Sequence, residues 1–106
     1  MYCLIIWDKD LAATGQDGSL RKLEIPMDLA KFFFQLDSEK FPTLSGLSFD
    51  DYDLFSDAQL ESLAHELLDV VKINPSSSDF IVSMVKEILE AKSLRKSVLF
   101  DPFGKT

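Results

Sequence analysis

The sequence predicts a small α+β protein, and two observations support that class. Short β-branched and aromatic runs lie near both ends of the chain, at residues 2–7 and 97–100. Between them, apolar residues recur at the three- and four-residue spacing of amphipathic helices. A chain of 106 residues, 46% of them hydrophobic, has the size of one domain and enough apolar side chains for a core. We therefore expect residues 1–106 to form a single domain, in which a small antiparallel or mixed sheet of about three strands packs with three main helices.

Two strands are predicted in the first quarter of the chain. Residues 2–7 are apolar on both alternating faces, which is typical of a strand covered on both sides. Residues 20–25 alternate Leu23 and Ile25 with Lys22 and Glu24, and they form a weaker candidate. The intervening residues 8–18 carry glycine and Asp-Gly turn signals and are predicted to form a loop. We expect the two strands to pair antiparallel across that loop.

The first helix is predicted to follow Pro26, which suits a first helical turn because its missing N–H has no cost there. Its apolar residues fall on one stripe, Leu29, Phe32, Phe33 and Leu36. Phe34 lies off that stripe and is expected to contact another element. From residue 37 to 55 the sequence mixes turn residues with apolar side chains. This composition indicates a long loop that buried apolar groups hold in place, and long loops in small domains are often functional.

The second helix has the clearest start signal. Ser56 and Gln59 form a capping-box pattern, and Asn74-Pro75 ends the helix. A helical projection places six apolar residues on one arc, namely Leu60, Leu63, Ala64, Leu67, Val70 and Val71. The same projection places five polar residues on the opposite side, namely Glu61, Ser62, His65, Glu66 and Asp69.

A third helix and a closing strand complete the predicted order β-β-α-loop-α-α-β. Ser76 or Ser78 is expected to cap the helix. The core stripe of this helix consists of Ile81, Met84, Val85 and Ile88. Residues 97–100 form the closing strand, which turn residues follow.

The net charge of −7 belongs to one contiguous segment of the chain. Between Phe41 and Val71 there are seven acids and no Lys or Arg, the acids being Asp50, Asp51, Asp53, Asp57, Glu61, Glu66 and Asp69. The other eleven acids balance the eleven Lys and Arg. Such a one-signed surface repels nucleic acid and anionic membranes and attracts basic proteins. We therefore expect neither a nucleic-acid nor a membrane partner. The alternative to a surface that binds a basic protein is an acidic face that only aids solubility.

The residues that usually support catalysis or metal binding are isolated in this sequence. His65 is the single histidine and falls on a polar helix face, and the single cysteine, Cys3, lies in an apolar run. The Asp-x-Asp pairs at 8–10 and 51–53 lack the glycine and distal glutamate of a calcium loop. The four glycines match no phosphate-binding motif. The expectation is a protein that is not an enzyme and that uses no cofactor and no metal.

The compartment predicted by default is the cytoplasm. The first seven residues lack the basic leader, the length and the cleavage site of a signal peptide. No stretch approaches the roughly 20 apolar residues that a membrane span requires.

The stretch 48–57 interleaves carboxylates with aromatic residues. Phe49, Leu54 and Phe55 are expected to point into the core. Asp50, Asp51, Tyr52 and Asp53 would then point outward, next to the acidic helix face. A tyrosine flanked by acids suits recognition, because the ring supplies contact area and the carboxylates meet Arg and Lys.

Four features resemble small bacterial immunity proteins encoded beside polymorphic toxins, including those of contact-dependent growth inhibition systems. They are the loop Phe41-Pro42-Thr43-Leu44, the acidic aromatic stretch 52–55, the helix pairs Gln59-Leu60 and Glu66-Leu67, and the strand 98–100. The resemblance implies a cytoplasmic inhibitor that binds a cognate toxin, often a basic nuclease, and covers its active site or substrate groove.

The first hypothesis is thus an inhibitor of a basic toxin, a monomer or simple dimer when free. Its expected partner-binding residues are Asp50, Asp51, Tyr52, Asp53, Asp57 and Glu61. The alternative is an acidic adaptor or accessory subunit of a larger complex, which would bind its partners more weakly and exchangeably.

Overall fold

The computed structural model describes residues 1–104, and it confirms the α+β class. Positions 105 and 106 of the predicted domain lie outside the described residues. One antiparallel sheet contains β1 (Tyr2–Trp7), β2 (Ser19–Ile25), β3 (Asp53–Phe55) and β4 (Ser97–Asp101) in the order β2-β1-β4-β3. The α-helices are α1 (Lys9–Ala13), α2 (Met27–Phe34), α3 (Ala58–Ile73) and α4 (Ser78–Ser93). Two 3₁₀ turns lie at Leu44–Gly46 and Pro75–Ser77.

The two central strands are buried on both faces, as the apolar run at the start of the chain predicted. Tyr2, Leu4 and Ile6 of β1 belong to the main core beneath the helices. Cys3 and Ile5 alternate with them and form a second, smaller cluster with Leu99 of β4. We call the side of the sheet that holds this smaller cluster the outer face.

The helices α3 and α4 supply nearly half of the buried residues of the main core, and their predicted apolar stripes are confirmed. From α3 the buried side chains include Leu60, Leu63, Ala64, Leu67 and Val70. From α4 they include Ile81, Met84, Val85 and Ile88. Phe34 of α2 contacts the Tyr2 ring edge-on, with 5.5 Å between ring centres, so this residue does reach another element.

The short helix α1 replaces part of the loop expected at residues 8–18. It forms because the Asp8 carboxylate accepts the backbone N–H groups of Asp10 and Leu11 at 2.9 and 3.1 Å, which caps the helix. Lys96 donates to the other carboxylate oxygen at 2.9 Å. This hydrogen bond, more than any other contact, lowers the pKa of Asp8.

The helix starts differ from the predicted caps in three places. Pro26 is the N-cap residue of α2, one position before the first turn. The N-cap residue of α3 is Asp57, one position after the predicted Ser56. Only half of the capping box forms, because the Ser56 N–H donates to Gln59 Oε1 at 2.9 Å while the Ser56 hydroxyl pairs with Ser97 at 2.7 Å. The N-cap of α4 is Ser77, between the two expected residues: Ser76 belongs to the 3₁₀ turn and Ser78 is the first residue of the helix.

The predicted loop 37–55 contains more regular structure than expected. Phe41, Leu44 and Leu47 are buried and hold it against the core, as predicted. Its end forms β3, which pairs antiparallel with β4 and makes a fourth strand at the sheet edge. Within residues 1–104, no helix combines the length and the apolar character needed to cross a membrane.

Candidate functional site

Glu66 is a buried anchor for the loop and lies away from solvent, contrary to its predicted place on a polar face. Its side chain accepts the Thr43 N–H at 3.1 and 3.2 Å and the Leu44 N–H at 3.0 Å. These donors belong to the start of the 3₁₀ turn, where backbone N–H groups lack helical partners. With the residue only 6% exposed, its charge is directed at the loop backbone and does not contribute to an exposed acidic surface.

Asp53 is also structural, although the sequence placed it among the outward contacts. Its Oδ2 atom accepts the Ser48 N–H at 2.7 Å. The Tyr2 hydroxyl donates to the Ser48 carbonyl at 3.2 Å, so both backbone groups of Ser48 are held. Burial, and then the Asp53 charge, raise the pKa of Tyr2, which keeps this hydroxyl a donor. The loop end at residue 48 is therefore fixed from two sides.

Asp57 and Glu61 lie beside basic residues and do not extend a purely acidic face. They line an open cleft of about 310 Å³ together with Lys92, Arg95 and Lys96. Glu61 forms an ion pair with Lys92, and this hydrogen bond lowers the pKa of Glu61. Nearby bases offset both charges, so these two predicted contacts contribute less to the field than the sequence suggested.

Asp57 has a strained backbone, with φ 56° and ψ −124°. L-residues rarely adopt this conformation, whereas glycine reaches it easily. We expect Asp57→Gly to stabilise the fold by about 1 kcal/mol. Chemical denaturation of the parent and the variant measures the change, and Asp57→Ala, which keeps the strain, is the control. A destabilised glycine variant would show that the Asp57 side chain outweighs the strain.

The remaining predicted contacts are exposed and lie among apolar side chains. Asp50 and Asp51 are solvent-exposed, and Tyr52 follows them with 53% of its surface exposed. The Tyr52 ring meets Phe103 edge-on, with 5.4 Å between ring centres, and Phe103 is itself 52% exposed. We define the aromatic–acidic surface as Asp50, Asp51, Tyr52, Leu54 and Phe103. Phe49 is exposed too, but its ring lies 6.0 Å from that of Phe34 in α2, on the side of the main core.

The sheet explains why these side chains share a surface. Leu54 pairs with Leu99 of β4, whose side chain lies on the outer face, so Leu54 faces that side too. The strand β4 ends at Asp101, and Phe103 lies in the turn that follows, next to Tyr52. The aromatic pair therefore lies where β4 ends, beside the start of β3.

The directions predicted for two apolar residues of the stretch 48–57 are wrong. Phe49 and Leu54 were expected to point inward, but they are 71% and 43% exposed. Only Phe55 points to the core, where it meets the Phe100 ring edge-on. Phe103 lies in the turn that the sequence predicted after the closing strand, but no sequence pattern indicated that it contacts Tyr52.

His65 lies at the surface, as its position on the polar helix face predicted. Its nearest carboxylate oxygen, on Asp69, is 3.9 Å from Nε2, and the side chain is largely exposed. Among the described residues, no three or more His, Cys, Asp and Glu side chains converge as a metal site would require. The aromatic–acidic surface is therefore the candidate site considered below.

Comparison with protein-family models, with curated proteins and with solved structures finds no match to this chain.

Proposed function

We propose that this protein is an immunity-type inhibitor that binds a basic toxin domain through the aromatic–acidic surface. The observation that supports the proposal most directly is the exposed Tyr52–Phe103 ring pair beside Asp50 and Asp51. Exposed aromatic side chains grouped with charges are typical of docking sites, since soluble proteins seldom leave such groups uncovered together. In this proposal the inhibitor acts in the cytoplasm and has no catalytic activity of its own.

The aromatic residues and the acids have different roles in the proposed complex. Tyr52 and Phe103 supply rigid contact area that a partner removes from water, which stabilises the complex once it has formed. Asp50 and Asp51 lie in the exposed loop and attract a basic surface from a distance. The toxin would use Lys and Arg for an anionic substrate, and carboxylates that occupy the same groove exclude that substrate.

The loop that presents these residues is well anchored. Glu66 holds its middle through the N–H groups of Thr43 and Leu44, and Asp53 holds residue 48. A surface that is ordered before binding loses less conformational entropy in the complex. Asp53, which the sequence assigned to the interface, and Glu66, which it assigned to the polar face of α3, thus anchor the loop that carries the proposed contacts.

The charge part of the proposal is tested with Asp50→Lys/Asp51→Lys. Binding kinetics are measured against the product of the adjacent gene at several salt concentrations. We expect association to slow at least about tenfold at low salt and its salt dependence to flatten, because steering by complementary charge is lost. Asp28→Lys/Asp79→Lys makes the same change in net charge at exposed positions on α2 and α4 and should keep most of the parental rate. Equal rates for the two double variants would reject steering by this surface.

The aromatic part is tested with Tyr52→Ala and Phe103→Ala in the same assay. Each should accelerate dissociation and weaken binding by about 2 kcal/mol, as expected for central apolar anchors. Leu89→Ala, which truncates an exposed apolar residue of α4, serves as the matched control. Folded aromatic variants that dissociate at the parental rate would place the interface elsewhere.

A further inference from the structure

The strand β2 is an open edge of the sheet. It pairs with β1 on one side only, and the strand order places it at the end opposite β3. Of its seven residues only Ile25 is buried, and Leu23 is partly covered. An edge strand presents unpaired backbone N–H and C=O groups, which another strand can pair with.

The usual protections of an edge strand are weak along most of β2. The opposite edge, β3, has only three residues, and short edges resist strand addition. In β2 the register with β1 shifts at Leu20, so a bulge protects only the beginning of the strand. Pro26, which lacks an N–H, follows its end. A regular stretch of five residues, Arg21 to Ile25, remains open between the bulge and the proline.

The charges on this stretch are complementary to those of a second, antiparallel copy of the same strand. Lys22 and Glu24 lie opposite Ile5 and Cys3 of β1, so both side chains are on the outer face. Neither forms an ion pair within residues 1–104, whereas Arg21 is engaged by Glu87 and Glu90 of α4 at 3.1 and 2.7 Å. A single lysine would discourage pairing with another edge, but the glutamate two residues later offsets it when the second strand is a copy of the first.

We propose that two copies of this protein pair antiparallel through β2, with Leu23 opposite Leu23 across a two-fold axis. This register places Lys22 opposite Glu24 of the second copy twice, and opposite charges on facing strands attract. Moving the two-fold axis by one residue in one direction places Lys22 opposite Lys22 of the second copy. Moving it in the other direction places Glu24 opposite Glu24. These are the two neighbouring registers that keep the outer faces of both copies on the same side of the joined sheet. Both would bring like charges together.

The sheet order makes such a dimer compatible with the net charge of the chain. The acidic segment, residues 41–71, contains β3, which is three strand spacings, or about 14 Å, from β2. Asp50 and Asp51, which precede β3, thus lie near the outer ends of a continuous eight-stranded sheet. The aromatic–acidic surface of each copy also stays open, so the dimer would present two docking surfaces at opposite ends of that sheet.

The test uses charge reversal and the mass of the protein in solution. Sedimentation equilibrium of the parent should show the mass rising from 12.0 kDa toward twice that value with increasing concentration. Lys22→Glu and Glu24→Lys should each remain monomeric, because each places like charges opposite one another. An equimolar mixture of the two variants should pair, since every facing charge is again opposite, and the double variant should pair with itself.

Lys86→Glu, an equal charge change at an exposed position of α4, is the control and should pair like the parent. Recovery of pairing in the mixture also shows that the single variants are folded. A parent that stays monomeric at all concentrations overturns the proposal. This holds even if the β2 edge proves to bind an extended segment of another protein. Single variants that pair as well as the parent overturn it too, as does a mixture that remains monomeric.

Discussion

Replacing Leu67 with aspartate should unfold the protein. The Leu67 side chain is fully buried among the core residues of α3 and α4. Burying an unpaired carboxylate there costs several kcal/mol of desolvation free energy. The free energy of unfolding of a small domain is only about 5–15 kcal/mol. Circular dichroism and thermal unfolding should show loss of the cooperative transition.

The next residue provides a matched control. Leu68 is 48% exposed on the same helix, so Leu68→Asp makes the same chemical change at the surface. We expect it to change the free energy of unfolding by only about half a kcal/mol. If Leu67→Asp unfolds at the same temperature as Leu68→Asp, the rotation of α3 about its axis is wrong, and with it the inward direction of Glu66.

Replacing Glu66 with alanine should cost about 3 kcal/mol of stability, because it leaves the N–H groups of Thr43 and Leu44 without their acceptor. Glu66→Gln keeps one acceptor oxygen and should lose about half as much. Chemical denaturation measures both losses. Hydrogen exchange at residues 43 and 44 should accelerate in the alanine variant more than exchange in the central strands.

Glu61→Ala is the control, because its carboxylate is exposed and pairs only with Lys92. Its effect on the free energy of unfolding should be much smaller than that of Glu66→Ala. Equal effects of Glu61→Ala and Glu66→Ala would mean that the loop is held by its buried apolar side chains alone.

Elements with strong periodicity were the ones that the sequence predicted correctly. The apolar stripes of α3 and α4 have a spacing that only a helix satisfies, and the structure buries them. The strands β1 and β4 were visible because they are apolar on both faces. The helix α1 and the strand β3 were missed, since they have five and three residues and rely on tertiary contacts such as Lys96 with Asp8.

The candidate site was less predictable, because its geometry depends on what covers each residue. Glu66 is on the flank of the apolar arc of α3, next to Leu63 and Val70, and a helical projection alone cannot say that a loop lies over that flank. Asp53 and Asp57 have the same charge as Asp50, yet they meet a backbone N–H and a basic cleft, respectively. Composition located the acidic segment, whereas tertiary contacts decide which acids are exposed.

The position of β4 has a consequence for how the chain acquires its structure during synthesis. Although β4 is the last of the four strands in the sequence, it lies between β1 and β3 in the sheet. Its Phe100, for example, pairs with Leu4 of β1. A ribosome-bound chain that lacks β4 already contains the residues of the β1–β2 hairpin and the helices, but it has a gap in the middle of the sheet. Contacts between distant parts of a chain also form slowly. Ordered presentation of residues 50–52 should therefore begin only after the last strand has been released, and a premature stop codon within β4 would remove the centre of the sheet instead of its edge.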